Sequence, residues 1–398
     1  MTTTEAPVSL KDVVGDAKVI DADTHYTEPP DLWTSRAPAA YEGKMPYMKT
    51  VDGHSLWFVE GDTPWGMVGT TVIGQGGQKF RGRLSLATFE EMDEAAYLVK
   101  PRLAVMDRMG IHAQIVYPNA GGFGATRFLS IQDKQLRIEC AKIYNDAVAE
   151  WQKESGDRLF PQAFLPFWDM DATLKEIRRV KEELHLTGVT LTDRPEVFDQ
   201  PDYGQPHWDP MWELLNDLRI PIDFHIGAGV KTFVLDDYGW RSFGPQRKLA
   251  AVATLMYMSN AQMVNAFMVS GLFDRYPNLK LVSVESGCGW VPFVIEAAEY
   301  QWDEMAPDEC KNLKRRPREY FKEHIYATFW FEDIGVKHFI EAIGADNLLF
   351  ETDFPHPTCL YPESQEHLAR VLSRLEPGVR RRVIQDNAVE LYKLPLPA

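Results

Sequence analysis

The chain has 398 residues, of which 45% are hydrophobic and 12% aromatic, so it has ample material for the core of one large α/β domain or two average ones. Its 42 basic and 58 acidic residues give a net charge of −16, which argues against nucleic acid or an anionic membrane surface as a partner, because both require a basic face. The absence of an apolar run of eighteen residues, of a secretory signal in residues 1–7 and of CxxC spacing among the four cysteines predicts a cytoplasmic protein with free thiols.

The first predicted element is a strand at residues 19–25, which the prolines at positions 29 and 30 separate from the next segment of the chain. Because successive side chains of a strand alternate faces, Asp21, Asp23 and His25 are expected to share one side. A carboxylate and an imidazole two residues apart could chelate a divalent metal such as zinc. The same pattern also fits a hydrogen-bonded turn in which Asp23 caps free backbone amides.

Residues 40–95 do not continue as an alternation of strand and helix. They contain a short apolar run at 56–59 and are otherwise rich in turn residues, with many glycines between positions 69 and 82. We predict a segment that is inserted after the first strand and folded over the strand ends. It would act either as a lid or as a subunit-contact arm.

From residue 97 onwards, strand and helix patterns alternate. Further strands are predicted at 113–117, 160–166, 188–191, 221–225, 279–285, 325–330 and 347–353, with helical segments at 102–110, 131–154, 171–186, 210–218 and 248–275. Eight strands in this alternation predict a (β/α)8 TIM barrel, formed as one domain by residues 1–398. A doubly wound open sheet is the competing architecture, against which the missing glycine-rich nucleotide turn after the first strand argues.

Chemistry-bearing side chains stand at three of the predicted strand ends. Asp23 and His25 end the first strand, His225 ends the fifth and Asp353 ends the eighth. In a barrel these ends converge on one face, where two histidines and two carboxylates suit one divalent cation with an open position for water or substrate. Taken singly, His225 also fits a core histidine and Asp353 a turn residue, and it is their coincidence that favours the metal site.

Four stretches of the sequence carry a resemblance to a known family: IDADTH at 20–25, FH at 224–225, ESGCGWVP at 285–292 and ETDFPH at 351–356. By these motifs the chain resembles the amidohydrolase superfamily from about residue 19 to about residue 393. Within it the chain is similar to the branch related to α-amino-β-carboxymuconate-ε-semialdehyde decarboxylase. That branch contains non-oxidative decarboxylases and also some hydrolases.

The resemblance implies one divalent metal ion, with Asp23, His25, His225 and Asp353 as its ligands. Zinc is the first expectation. Asp23 stands where better-known members have histidine or glutamate, and this extra carboxylate makes manganese or iron the alternatives. The branch lacks the carboxylated lysine of two-metal relatives, and Thr190 on the fourth predicted strand agrees with one metal. Family resemblance also implies a homodimer or a higher homo-oligomer.

Glu285 is a departure from the family pattern, because well-studied decarboxylases carry a histidine at the end of the sixth strand. A buried glutamate beside a metal could relay a proton. It could equally form a hydrogen bond with a ligand histidine and so orient it. Both roles stay open from the sequence.

The resemblance therefore implies an enzyme that acts on a small carboxylic acid or carbonyl compound. We expect a lyase that decarboxylates an aromatic or unsaturated carboxylic acid without an oxidant, with Asp353 protonating the carbon that loses carbon dioxide. The alternative is hydrolysis of an amide, lactone or carbon–carbon bond by metal-activated water, with Asp353 or Glu285 moving the proton. A non-catalytic homologue would be expected to lack metal ligands, and all four are present.

The wall of the substrate pocket is predicted from residues near strand ends. Four aromatic residues are expected to suit a planar substrate, although each also fits ordinary barrel packing: Tyr117, Trp168, Trp330 and Phe331. His356, three residues after Asp353, is the candidate for an additional polar and catalytic contact. Arg194, after the fourth strand, could meet a substrate carboxylate or could be a surface residue.

Overall fold

The computed structural model describes residues 9–231 and 239–396. The expectation about residues 1–7 and the outermost ends of the predicted domain lie outside these ranges. The strands are β1 (Ile20–His25), β2 (Tyr47–Val51), β3 (His54–Val59), β4 (Thr63–Met67), β5 (Ile73–Gly74), β6 (Gln78–Lys79), β7 (Ala113–Tyr117), β8 (Leu159–Pro161), β9 (Ala163–Phe164), β10 (Val189–Thr190), β11 (Ile222–His225), β12 (Leu281–Val284), β13 (Ile325–Phe329) and β14 (Leu348–Phe350).

The helices alternate with the parallel strands along the chain. They are α1 (Leu10–Val14), α2 (Val99–Met109), α3 (Lys134–Glu154), α4 (Met170–Glu182), α5 (Asp209–Leu218), α6 (Pro245–Met256), α7 (Asn260–Val269), α8 (Leu272–Arg275), α9 (Val291–Met305), α10 (Pro307–Cys310), α11 (Pro317–His324), α12 (Ile334–Ala342), α13 (Ser364–Leu372), α14 (Pro377–Arg381) and α15 (Asn387–Tyr392). Within the two described ranges, no helix has both the length and the apolar character needed to cross a membrane.

The central strands form two parallel sheets. One has the order β1-β7-β8, and the other has the order β14-β13-β12-β11-β10-β9. Strands β11 and β12 are buried along their whole length, including their polar side chains, as expected for parallel strands that are covered on both faces. The predicted α/β architecture with parallel strands is confirmed.

The two sheets lie next to each other at both of their edges. At one edge Gln162, which lies between β8 and β9, donates its amide to the carbonyl of Val116 on β7 at 2.8 Å. At the other edge the amide of Asp353 donates to the carbonyl of Asp23 at 2.9 Å, and the amide of His25 donates to Phe354 at 2.7 Å. The chain after β14 is thus held directly beside β1.

The side chains of β1 do not alternate as predicted, because the pairing of β1 with β7 shifts register between Asp21 and Thr24. Asp21 turns away from Asp23 and His25. Its carboxylate accepts hydrogen bonds from the amide and the hydroxyl of Thr352 at 2.8 and 2.6 Å. The prediction that Asp21 shares one face with Asp23 and His25 is therefore wrong.

Residues between β1 and α2 form small sheets of their own. Strands β2, β3 and β4 make an antiparallel sheet, and β5 pairs with β6. The tight turn between β2 and β3 consists of Asp52 and Gly53, whose φ angles of 49° and 78° are those of a two-residue hairpin. This region contains more regular structure than the single short strand predicted at 56–59.

Arg102 on α2 connects this region to β1. Its side chain is fully buried, and burial lowers its pKa to about 10. The guanidinium donates to the carbonyl of Ala95 at 2.6 Å, to the side chain of Gln114 at 3.2 Å and to the carbonyl of His25. One cation therefore fixes the backbone at the end of β1 and the turn that precedes α2.

Replacing Arg102 by methionine should lower the free energy of unfolding by about 2–4 kcal/mol, because three buried acceptors lose their donor at once. Urea unfolding followed by circular dichroism measures the effect. Arg108→Met is the matched control, because Arg108 is exposed on the same helix and its loss should change the stability little. Equal stability of the two variants would contradict this role for Arg102.

Candidate functional site

Four side chains predicted as metal ligands lie together at the strand ends, fully buried. His25 Nε2 is 3.5 Å from Asp23 Oδ1 and 3.7 Å from Asp353 Oδ1. His225 Nε2 is 3.1 Å from His25 Nε2 and 3.7 Å from Asp23 Oδ1. Strands β1 and β11, together with the chain after β14, thus bring these residues to one point.

The backbone fixes the orientation of both histidine rings. His25 Nδ1 lies 3.3 Å from the carbonyl of Pro118, and His225 Nδ1 lies 2.8 Å from the carbonyl of Ile226. A carbonyl only accepts, so each Nδ1 carries the hydrogen when the ring is neutral. The two Nε2 lone pairs then face each other at 3.1 Å, an arrangement that a shared cation would stabilise.

The carboxylates beside these rings also lack partners. Among the described residues, both oxygens of Asp23 and Oδ1 of Asp353 are buried without a hydrogen bond. Buried carboxylate oxygens of this kind are costly unless they are paired or bound to a metal. Two imidazole nitrogens and several unpartnered carboxylate oxygens together form a donor set that fits a divalent cation.

Glu285, at the end of β12, reaches the same point. Its Oε2 atom lies 3.0 Å from His225 Nε2 and 3.9 Å from His25 Nε2. His225 Nδ1 is already bonded to the carbonyl of Ile226, so Glu285 faces Nε2, the nitrogen that points to the other candidate ligands, instead of supporting the ring from behind. The structure thus places Glu285 among the candidate ligands as well as beside the reacting groups.

The ionisation of the cluster reflects its burial. Burial raises the pKa of Asp23 to about 7, opposed by the nearby His225. Burial also raises the pKa of Glu285 to about 7, and the charge of Asp353 adds to that shift. Burial lowers the pKa of His25, whereas for His225 the carboxylates outweigh burial and raise the pKa. Without a metal, the cluster thus retains protons that a divalent cation would replace.

His356 and Asp353 lie side by side. Asn119 donates its amide nitrogen to the carbonyl of Tyr26, so its Oδ1 atom faces His356 Nε2 at 2.9 Å. His356 therefore carries a hydrogen on Nε2, and its Nδ1 lies 3.2 Å from Asp353 Oδ1. His356 is thus the imidazole beside the Asp353 oxygen that has no hydrogen bond within the part of the chain that the structure describes.

Glu351 belongs to the same cluster, although sequence reasoning missed it. It is fully buried directly after β14, its Oε2 accepts from the amide of Glu285 at 3.3 Å, and burial raises its pKa well above the ordinary value. The signal was present, because Glu351 is two residues before Asp353, the spacing that places strand side chains on one face.

A cavity of about 770 Å³ opens beside the cluster. Asn119 and Phe123 line the end of it that meets the histidines, and the Phe123 ring lies 5.2 Å from the ring of His25 and 4.1 Å from that of His225. Trp65, from the region between β1 and α2, lines it elsewhere. Sequence reasoning missed both aromatic residues, because Phe123 follows a turn and Trp65 precedes no barrel strand.

The predicted aromatic wall has other contacts in the structure. None of its four members lines the 770 Å³ cavity: Tyr117, Trp168, Trp330 and Phe331. Tyr117 donates its hydroxyl to Asp223 at 3.0 Å, Trp168 packs on Phe128, and Trp330 and Phe331 both pack on Tyr257. Position near a strand end does not fix the direction of a side chain, so their role in substrate binding stays a prediction.

Arg194 lies in a different place from the metal-ligand cluster. It lines a second cavity of about 400 Å³ together with Tyr203 and Met263, and its Nε atom is 3.8 Å from Glu196. Its contact with a substrate carboxylate likewise stays a prediction. The 770 Å³ cavity is instead lined by another arginine, Arg127, which the sequence did not single out.

The burial of Asp223 predicts a pH dependence of stability. Burial raises the pKa of Asp223 to about 7 from 3.8, although Tyr117 and Tyr392 each donate a hydrogen bond to it. The folded state thus holds this proton more tightly than the unfolded state, so its contribution to the free energy of unfolding falls as pH rises from about 4 to about 7.

Asp223→Asn should make the decrease in the free energy of unfolding with rising pH smaller by about 2–4 kcal/mol. Urea unfolding of metal-stripped protein at pH 4.5 to 8 measures it. Asp217→Asn, at an exposed position on α5, is the control and should leave the pH profile of the wild type unchanged. An Asp223→Asn profile that is parallel to the wild-type profile would contradict the assignment.

Comparison with known proteins agrees with this geometry. A family model described as amidohydrolase matches residues 20–394. Gamma-resorcylate decarboxylase from Rhizobium sp. (strain MTP-10005) is 29% identical over 304 residues, covering 74% of this chain and 86% of that protein. An amidohydrolase from Mycobacterium avium subsp. paratuberculosis K-10 has a similar structure, with a TM-score of 0.71 and 20% identity over 95% of this chain and 99% of its own.

A second structure, a dihydroxybenzoic acid decarboxylase from Polaromonas sp. JS666 with bound manganese, has a TM-score of 0.63 and 20% identity. The match covers 95% of this chain and 97% of that one. These two structures share the fold of the chain, which is of the TIM barrel type. The family model spans almost the whole sequence. The chain therefore belongs to the amidohydrolase family, as the motifs in its sequence predicted.

Proposed function

We propose that the protein is a metal-dependent carboxy-lyase that removes a carboxyl group, without an oxidant, from an aromatic or unsaturated acid. The observation that carries the proposal is the buried set of Asp23, His25, His225 and Asp353. Phe123, which packs on both histidines, lines the 770 Å³ cavity beside this set. The similarity to a gamma-resorcylate decarboxylase supports the same reaction class. Nothing in the site specifically favours the alternative of hydrolysis.

The four residues would hold one divalent cation, with Glu285 as a further ligand. Carboxylate oxygens outnumber imidazole nitrogens in this set, so we propose manganese ahead of the zinc expected from the sequence. The manganese in the Polaromonas structure supports this choice. When bound, such a cation supplies Lewis acidity that polarises substrate oxygens.

The residues of the chain position the acid and keep water away. Phe123 covers both ligand histidines and offers an apolar face for a planar substrate ring. Asn119 stands at the same end of the cavity, held by the carbonyl of Tyr26 and by His356. An acid bound there has its carboxyl group directed at the cluster and its ring against Phe123.

Asp353 would then deliver the proton. Its Oδ2 atom accepts from the hydroxyl of Thr358 at 2.7 Å, which leaves Oδ1 directed at His356 and at the cluster. Asp353 protonates the carbon that bears the carboxylate. The carbon–carbon bond breaks, its electron pair stays with the ring and carbon dioxide leaves. His356 returns a proton to Asp353, so that one proton is consumed for each carboxylate released.

A panel of hydroxybenzoates and muconates, incubated with manganese-loaded protein, tests the proposal. We expect carbon dioxide release, and in deuterated water one deuterium on the carbon that lost the carboxyl group. Hydrolysis would instead place oxygen from ¹⁸O-labelled water in the product. Incorporation of ¹⁸O without release of carbon dioxide would overturn the proposal in favour of a hydrolase.

We also infer that the two parallel sheets close into one eight-stranded barrel, and that residues 40–95 are an insertion into a single domain. The backbone hydrogen bonds of Gln162 and Asp353 across the two sheet edges support closure. The small antiparallel sheet of β2, β3 and β4, with Trp65 in the cavity wall, supports a lid role for the insertion.

A homodimer or higher homo-oligomer is the assembly that we propose. Exposed apolar side chains on α9 and α12 support it, since Phe293, Tyr300, Met305 and Ile334 are each more than 60% exposed. The four cysteines are free and buried, which supports a cytoplasmic location for the enzyme.

A further inference from the structure

The 770 Å³ cavity is larger than a one-ring acid requires, because cavities of roughly 300–1,000 Å³ hold much larger ligands. Three charged side chains line it. Asp199 and Lys231 are exposed at its rim, whereas Arg127 is largely withdrawn from solvent. Arg127 is therefore the charged group that the cavity itself contains.

The Arg127 guanidinium has no direct partner among the residues that the structure describes. Across residues 9–231 and 239–396 it forms neither a salt bridge nor a side-chain hydrogen bond. Glu28 is the carboxylate that acts on it electrostatically, but the two oxygens of Glu28 accept from the amides of Asn119 and Ala120, each at 2.9 Å. A desolvated cation without a bonded counter-ion is costly, and an anionic ligand would offset that cost.

The Arg127 guanidinium packs against the neighbouring strand β4. A Cβ atom placed on Gly66 would lie 2.0 Å from Arg127 Nη1, so only glycine leaves room for the guanidinium. Trp65 donates its indole N–H to the Arg127 carbonyl at 3.2 Å and lines the cavity beside it. Trp65 thus fixes the Arg127 backbone and Gly66 lies beside its guanidinium, whose N–H groups are left to bind a ligand.

We propose that Arg127 binds a second carboxylate of the substrate, which makes the substrates aromatic or unsaturated dicarboxylic acids that lose one carboxyl group and keep the other. The inference rests on the proposed function and names its substrate class. Arginine suits this role because its planar fork pairs with both oxygens of a carboxylate. A carboxylate fits better than a doubly charged phosphate, since Glu28 and Asp199 already place negative charge nearby.

A matched pair of substrates tests the inference: salicylate, and 4-hydroxyisophthalate, which is salicylate with a second carboxylate. A longer homologue carries that carboxylate on a two-carbon side chain. We expect the wild type to prefer a diacid by at least tenfold in kcat/KM. Arg127→Met should lower kcat/KM for the preferred diacid about 100-fold and change that for salicylate by less than about threefold. Arg374→Met, at an exposed arginine, is the matched control.

A second variant guards against misfolding of the first. Gly66→Val keeps Arg127 but displaces its guanidinium, so it should reduce the preference for the diacid in the same direction. Equal loss for salicylate and the diacids in both variants, or no preference in the wild type, would overturn the inference while leaving decarboxylation intact.

Failure of the reaction itself is distinguishable. If no acid in the panel releases carbon dioxide, the proposed function fails, and calorimetric titration of manganese-loaded protein with the same acids decides the inference. Binding of a diacid that is at least tenfold tighter than that of salicylate, and that is lost in Arg127→Met, supports the carboxylate site. The carboxylate site is rejected if the wild type binds the diacid and salicylate equally. It is also rejected if the wild type and Arg127→Met bind the diacid equally.

Discussion

Asp353→Asn should lower kcat for decarboxylation by about 10³- to 10⁴-fold, because asparagine has the same shape but no acidic proton to give. In the proposed mechanism His356 resupplies that proton, because its Nδ1 atom lies 3.2 Å from Asp353 Oδ1. The bond from Thr358 can persist to the asparagine carbonyl, so the loop geometry should survive. Turnover is measured at saturating manganese and normalised to the metal bound per chain.

The control for this variant is Asp308→Asn, at an exposed position on α10, which should retain full activity. Normalising to bound metal separates lost proton transfer from lost metal, since asparagine is the weaker ligand. A loss of less than tenfold at equal metal content would mean that another group protonates the substrate. Glu285 would then be the first candidate, given its position in the same cluster.

His225→Ala should reduce the metal content from about one per chain to near zero and abolish turnover with it. The variant removes one of the two imidazoles whose Nε2 atoms face each other at 3.1 Å. It also removes the imidazole that lies beside the negative charges of Asp23 and Glu285. Loss of a single protein ligand lowers metal affinity strongly. Elemental analysis of protein purified without chelator gives the count.

His324→Ala is the matched control, because His324 is equally buried but bonds to the carbonyl of Leu279 and stacks on Phe273, outside the cluster. It should lose stability and keep its metal. Added manganese should raise the melting temperature of this control and of the wild type but not that of His225→Ala. A stable wild type without metal would remove the basis of the mechanism.

The strand ends could be predicted from the sequence, because the strands begin in short segments rich in apolar residues and stop at a polar residue and a turn. That pattern located His225 and Asp353 without any knowledge of the pairing. It failed for Asp21, since the register shift in β1 breaks the alternation that the prediction assumed. A register shift depends on the neighbouring strand, and local sequence does not reveal it.

The pocket wall was the least predictable part. Tyr117 turns its hydroxyl to Asp223, whereas Phe123 and Arg127, from the loop after β7, contact the cluster or line the cavity. Loop residues have no period from which their direction follows. The sheet of β2, β3 and β4 was missed because its first strand is half-exposed and weakly apolar, although Asp52 and Gly53 carry a hairpin signal.

The bonds of Arg102 restrict how this enzyme could be recombined with its relatives. Its guanidinium bonds to the carbonyl of Ala95 at the end of the inserted region and to that of His25 beside the metal-ligand cluster. A chimera that exchanges the insertion as a cassette, with its junction between residues 95 and 102, would take Ala95 and Arg102 from different parents. Active chimeras should therefore be those that carry the turn before α2 and Arg102 across together with the insertion.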